Sequence, residues 1–154
     1  MRLVTRWAEF EAAMPEMAAE GRKLLYQFGL GLGFLATVRP DGGPRLHPMC
    51  PILAEGGLWA FIGDSPKLRD LRRDGRFAIH AFPPEKVDDE FYVTGRAVEI
   101  TAPELIAAVR AAYHAPIQTA DEVLFEFHLE RALWAKYGPR PSWPPAYTRW
   151  AQGS

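Results

Sequence analysis

The segment Phe61-Ile62-Gly63-Asp64-Ser65-Pro66-Lys67 carries a strand-like apolar run through a glycine turn into the start of a helix. Such a start presents free backbone N–H groups and a partial positive charge, which together attract anions. Ser65 adds a hydroxyl, and Lys67 stands in the first turn, where a cation opposes the helix dipole unless an anion lies beside it. The plainer alternative is that Ser65 only caps the helix and Lys67 is solvated, with Asp64 repelling any anion. Arg45 and His47, two apart on one face of a strand-like segment, can supply a second wall of an anion site; the alternative is a surface arginine and a partly buried histidine. His47 is the candidate acid–base group, because imidazole titrates near neutral pH. His80 and His128 fit structural roles better. His47 and Cys50 form an H-x-x-C pair, but that spacing on a strand sends them to opposite faces, so no metal site is expected. There is no G-x-S-x-G elbow, and the glycine-rich run Gly29–Gly33 precedes a strand, not a helix. Trp134, Trp143, Trp150, Tyr137 and Tyr147 offer either an aromatic wall for a planar ligand or a seal for a core or dimer contact.

Several elements must hold these residues in place. From Trp7 to Phe28 the apolar residues Phe10, Met14, Met17, Leu24, Leu25 and Phe28 recur mostly at helical spacing, and Pro15 and Gly21 leave one long helix and two short ones equally open. Gly33–Val38 and Arg45–Leu53 read as a hairpin around Pro40-Asp41-Gly42-Gly43-Pro44, with the prolines of the second strand pointing to an edge, a bulge or a barrel closure. Leu58–Ile62, Arg76–Phe82, Phe91–Ile100 and Val123–Tyr137 are further strands. The last alternates Val123, Phe125, Phe127 and Leu129 against a wet face of Leu124, Glu126, His128 and Glu130. A short helix follows Ser65 and stops at Gly75, and a second begins after Thr101, the expected cap. Residues 138–154, rich in Pro and Trp, are expected to lie irregularly on a surface, and residues 1–30 form an amino-terminal helical segment. The result is an α+β protein: about six strands in hairpin order with peripheral helices, hence an antiparallel sheet or small barrel in a single domain over 1–154.

Composition narrows the function classes. The 18 Lys+Arg and 19 Asp+Glu leave a net charge of −1, which gives no long-range field for nucleic acid, so any phosphate recognition rests on locally placed cations. A single cysteine permits no internal disulfide and suits a reducing, cytoplasmic setting. No apolar run approaches the ~20 residues of a membrane span, and the amino terminus is too acidic and broken for a signal peptide.

The ordered set Gly33-Phe34-Leu35-Ala36-Thr37-Val38, Asp41-Gly42-Gly43-Pro44-Arg45, Phe61-Ile62-Gly63, Ser65-Pro66-Lys67 with Leu68 and Leu71, and Val93-Thr94-Gly95-Arg96-Ala97 resembles the flavin-binding split-barrel superfamily typified by pyridoxamine 5′-phosphate oxidase. The resemblance implies a six-stranded antiparallel split β-barrel with peripheral helices and a homodimer with FMN at its interface. It implies a phosphate held by Arg45, Ser65 and Lys67, His47 beside the site, and Phe61 and Ile62 lining the isoalloxazine. A deazaflavin coenzyme or haem are the alternative cofactors, and a noncatalytic flavin- or haem-binding protein is the alternative function. Cys50 stands where the oxidase has a second phosphate-binding lysine, and Ala151–Ser154 do not carry the oxidase's arginine motif after its tryptophan. The expected activity is therefore an oxidoreductase acting on a small organic molecule other than pyridoxamine phosphate.

Overall fold

Pro15 settles the amino-terminal helices. In the computed structural model, which describes residues 3–115, 119 and 121–154, α1 (Trp7–Ala13) ends at Met14 and α2 (Pro15–Leu25) starts on the proline, whose fixed φ suits a first helical position. The first two residues of the expected amino-terminal segment lie outside those described. Gly21 does not interrupt α2; it lies within the helix against the Phe91 ring, where a Cβ would be too close to the ring carbons. The remaining elements are β1 (Gly33–Val38), β2 (Pro44–Met49), β3 (Ile52–Ala54), β4 (Gly57–Ile62), α3 (Pro66–Arg73), β5 (Arg76–Ala81), β6 (Glu90–Ile100), α4 (Pro103–Ala112), β7 (Val123–Lys136) and β8 (Ala146–Ala151). The α4 cap is Ala102, with no side-chain cap bond, in place of the expected Thr101. No helix among the described residues is long and apolar enough to cross a membrane.

All pairings among these strands are antiparallel, in the order β2-β1-β5-β6-β7-β4-β3, with β8 beside β7. The six expected strands become eight for two reasons. Cys50 and Pro51 divide the Arg45–Leu53 run into β2 and β3, and residues 146–151 of the supposedly irregular tail form β8 along the second half of β7. The far edge of β7 is shared: β4 takes residues 123–126 and β8 takes residues 131–136. Because β2 and β3 lie at opposite ends of the strand order yet are joined by only Cys50 and Pro51, the sheet must curl until its two edges come within a few residues' reach.

The inner face of the curled sheet carries Leu35, Phe77, Ile79, Val93, Phe127 and Leu129, sealed by Leu68 and Leu71 of α3 and by Trp7, Phe10 and Met17 of α1 and α2. A smaller cluster places Val109 of α4 against Ile52, Trp59 and Leu124. Trp134 and Trp150 belong to the main core while Trp143 is 77% exposed, so the carboxy-terminal aromatics do not form one wall.

The β6–β7 register slips between Thr94 and Gly95: Thr94 faces Arg131 and Gly95 faces Leu129, which leaves Glu130 as an extra residue on β7. Gly95 is required there, since a Cβ would collide with the His128 carbonyl oxygen. The bulge reverses the inside–outside phase of β7. Phe125, Phe127 and Leu129 are buried before it, Ala132 and Trp134 after it. The expected wet face is also incomplete: Leu124 is buried beneath α4, and Glu126 is 5% exposed. Glu126 accepts from Arg6 Nε and Nη2 at 2.9 and 2.7 Å and lies 2.6 Å from His128 Nε2. Burial pushes its carboxyl up, but the hydrogen bonds from His128 and Arg6 outweigh burial and hold it below the ordinary value.

Candidate functional site

Strand alternation on β2 turns Arg45 and His47 to the side of α3, while Leu46 and Pro48 face outward. Arg45 is the register partner of Thr37, and both reach across to α3, where each donates to Asp70 Oδ2 at 2.7 Å. Arg73, one turn further along α3, donates to Asp70 Oδ1 at 2.9 Å and to the Val38 carbonyl at 2.6 Å. Asp70 itself is 1% exposed. Burial pushes its carboxyl up, yet the hydrogen bonds from Arg45, Thr37 and Arg73 overcome that penalty and leave it at about 2.

Ser65 is the N-cap of α3: its Oγ accepts from Leu68 N at 3.4 Å and donates to the Gly63 carbonyl at 3.0 Å. Its one proton is committed inside the turn, and its capping role is the one the structure displays. Lys67 is half-buried in the first turn, three residues before Asp70 and hence on the adjoining ridge, and it has no hydrogen-bond or ion-pair partner among the described residues. His47 pairs across the ladder with Leu35, and its Nε2 is buried without a hydrogen-bond partner among the described residues.

Phe61 and Ile62, being consecutive on β4, point to opposite faces. Ile62 is 1% exposed in the main core. Phe61 packs beneath α4, with Tyr113 stacked at 5.8 Å and the Arg110 guanidinium 4.2 Å from its ring centre. Both side chains are therefore committed to packing, and what they can offer a ligand is the β4 backbone.

The structure thus ties Arg45 to α3, the helix that Ser65 caps and Lys67 opens, with His47 on the Arg45 side of β2. Thr37, Asp70 and Arg73 were not singled out from the sequence. The signal was the spacing Lys67-x-x-Asp70-x-x-Arg73, an acid flanked at three residues on either side by cations along one helix face. Chemically, Arg45 and Arg73 share the Asp70 carboxylate, and Lys67 adds a further cation one turn before it on α3. The excess positive charge fits an anion, and the orphaned His47 nitrogen fits a polar ligand atom.

A family model described as pyridoxamine 5′-phosphate oxidase matches residues 22–135, a span that holds β1 to β6, α3 and every cation of this cluster. The chain belongs to the pyridoxamine 5′-phosphate oxidase-like family. Solved structures share its fold. A haem-binding protein from Mycobacterium smegmatis is 22% identical with a TM-score of 0.63 over 84% of this chain, which spans 57% of that protein. An F420 reductase is 22% identical with a TM-score of 0.57, covering 71% of this chain and 94% of its own. The haem storage protein HutZ from Vibrio cholerae is 18% identical with a TM-score of 0.60, covering 76% and 89%. Curated protein sequences give no match. The likeness to these structures carries the fold, an α+β arrangement on an antiparallel sheet.

Proposed function

We propose that the chain is a homodimeric, cytoplasmic FMN-binding oxidoreductase that passes a hydride between the flavin and a small organic substrate, with a deazaflavin coenzyme as the alternative ring. The observation that carries this reading is Lys67: a half-buried ammonium at the amino end of α3 without a partner among the described residues, one turn before the Asp70 that Arg45 holds. A cation in that position opposes the helix dipole, and a phosphate resolves the conflict.

When bound, FMN supplies the two-electron chemistry. The chain supplies binding and position. Lys67 and the guanidinium edge of Arg45 not used by Asp70 would hold the phosphate, and Asp70 fixes the orientation of Arg45. Ser65 shapes the turn that sets Lys67 in place. The β4 backbone at Phe61 and Ile62 would line the ring. His47 Nε2 would be the candidate acid–base group beside it. The single thiol, Cys50, is free, in keeping with a reducing compartment.

The test is absorbance of the purified protein, or of protein mixed with FMN, between about 350 and 460 nm, followed by bleaching with a reduced nicotinamide nucleotide. A bound flavin band that bleaches supports the oxidoreductase; a band that no donor bleaches leaves a noncatalytic flavin carrier. A second reading is favoured by the same buried His47 nitrogen, since a neutral imidazole is a haem-iron ligand. Under that reading hemin gives a Soret band that His47→Ala shifts, and FMN does not bind.

A further inference from the structure

We propose that the outer face of the sheet carries a second binding site, for a small organic oxyanion with an apolar body, built on Arg131 and Arg149. A cleft of about 590 Å3 opens there between β6, β7 and β8, lined among others by Tyr92, Thr94, Arg131, Leu133, Arg149 and Trp150. Its size falls in the small-molecule range.

The ladder fixes the arrangement. Thr94 faces Arg131, which faces Ala151, and Tyr92 faces Leu133, which faces Arg149. Arg131 and Arg149 therefore leave neighbouring strands at diagonal positions of one face, about 7–8 Å apart at the backbone and within mutual reach of long side chains. The Glu130 bulge is what turns Arg131 outward. Arg6, Arg45, Arg72, Arg76 and Arg96 each reach a carboxylate. Among the described residues Arg131 and Arg149 have none, and Arg149 lies instead over the Tyr147 ring at 4.8 Å. Two uncompensated guanidinium groups in one cleft repel each other, and a carboxylate or phosphate placed between them turns that repulsion into paired N–H···O bonds. The Tyr92 and Thr94 hydroxyls add donors, while Leu133 and Ala151 supply an apolar floor that a bare inorganic ion would leave unused. The site is separate from the α3 cluster. Leu46 and Pro48, the residues that alternate with Arg45 and His47 on β2, stand in the same ladder rows as Thr94 and Tyr92, so the two sites occupy opposite faces of the sheet.

The experiment uses phenyl phosphate as probe, titrated into the full chain while backbone amide resonances and the heat of binding are followed. Saturable binding that shifts the amides of β8 and of the Thr94–Arg131 region is expected, weakened about tenfold or more by Arg131→Gln and by Arg149→Gln. Inorganic phosphate and benzyl alcohol, each carrying half of the ligand's chemistry, should bind about tenfold more weakly or worse. Both arginines project outward, so the variants retain the wild-type melting temperature. Lys67→Ala, which weakens the α3 site, should leave the β8 shifts and the affinity unchanged, which separates this inference from the flavin reading. The proposal is overturned if both arginine variants bind normally, if Lys67→Ala abolishes the β8 shifts, if inorganic phosphate binds as tightly as phenyl phosphate, or if no binding is seen up to about 10 mM.

Discussion

Asp70 holds two arginines and a threonine while almost wholly removed from water, and the energetics of that position are asymmetric. With the carboxylate present each hydrogen bond is charge-assisted or satisfied; without it Arg45 loses the partner that fixes its geometry. Asp70→Ala should therefore cost about 2–4 kcal/mol of unfolding free energy, measured by urea denaturation. The sign of the pH dependence follows from the direction of the shift. A carboxyl held at about 2 in the folded chain and 3.8 in the unfolded one contributes stability at neutral pH, and that contribution fades as pH falls from about 4 towards 2. Asp70→Asn should flatten this acid limb of the melting curve. Lys67 is the complementary case, since nothing in the fold depends on it. Lys67→Ala should leave the melting temperature of the cofactor-free chain unchanged and weaken FMN about ten- to a hundredfold in a fluorescence titration. Arg45→Ala should lower both stability and FMN affinity, because its guanidinium serves both.

At the scale of elements, the β6–β7 bulge sets the architecture of half the sheet. Gly95→Ala forces a methyl against the His128 carbonyl and should destabilise the chain by about 1–3 kcal/mol in denaturant unfolding, with no change in the α3 site. The bulge also marks where sequence reading stopped working. Alternation is a faithful guide while a strand keeps one phase, so Phe125, Phe127 and Leu129 were legible as core; an inserted residue such as Glu130 has no composition of its own, and only Gly95 on the partner strand hints at it. The start of α3 was legible because Ser65 and Pro66 satisfy local rules that need no tertiary context. The strand β8 was not, since Pro141, Pro144 and Pro145 dominate its approach and its pairing depends on an edge of β7 that β4 leaves free. Asp70 escaped for a similar reason: its burial is decided by Thr37 and Arg45, which lie more than twenty residues away in the chain.

For the molecule as a whole, the outer face of β1 and β2 presents Leu46 at 64% exposure, Phe28 at 55% and Phe34 stacked on Phe82 at 4.4 Å. That is a contiguous apolar surface of the sort protein partners cover, and the proposed dimer covers it. Sedimentation at micromolar concentration should give twice the 17.3 kDa chain mass, and Leu46→Glu should give the single chain without lowering its intrinsic stability; a wild-type monomer would overturn the proposed dimer. One further consequence lies in β7. It pairs with β6, β4 and β8, and without it the remaining pairings fall into two separate sheets, β2-β1-β5-β6 and β3-β4. During synthesis these two sheets must wait, each with a raw edge, while the chain grows from β4 through Val123 and beyond. At roughly 5–20 residues per second that wait lasts several seconds, a window in which the nascent protein is most exposed to aggregation and to chaperones.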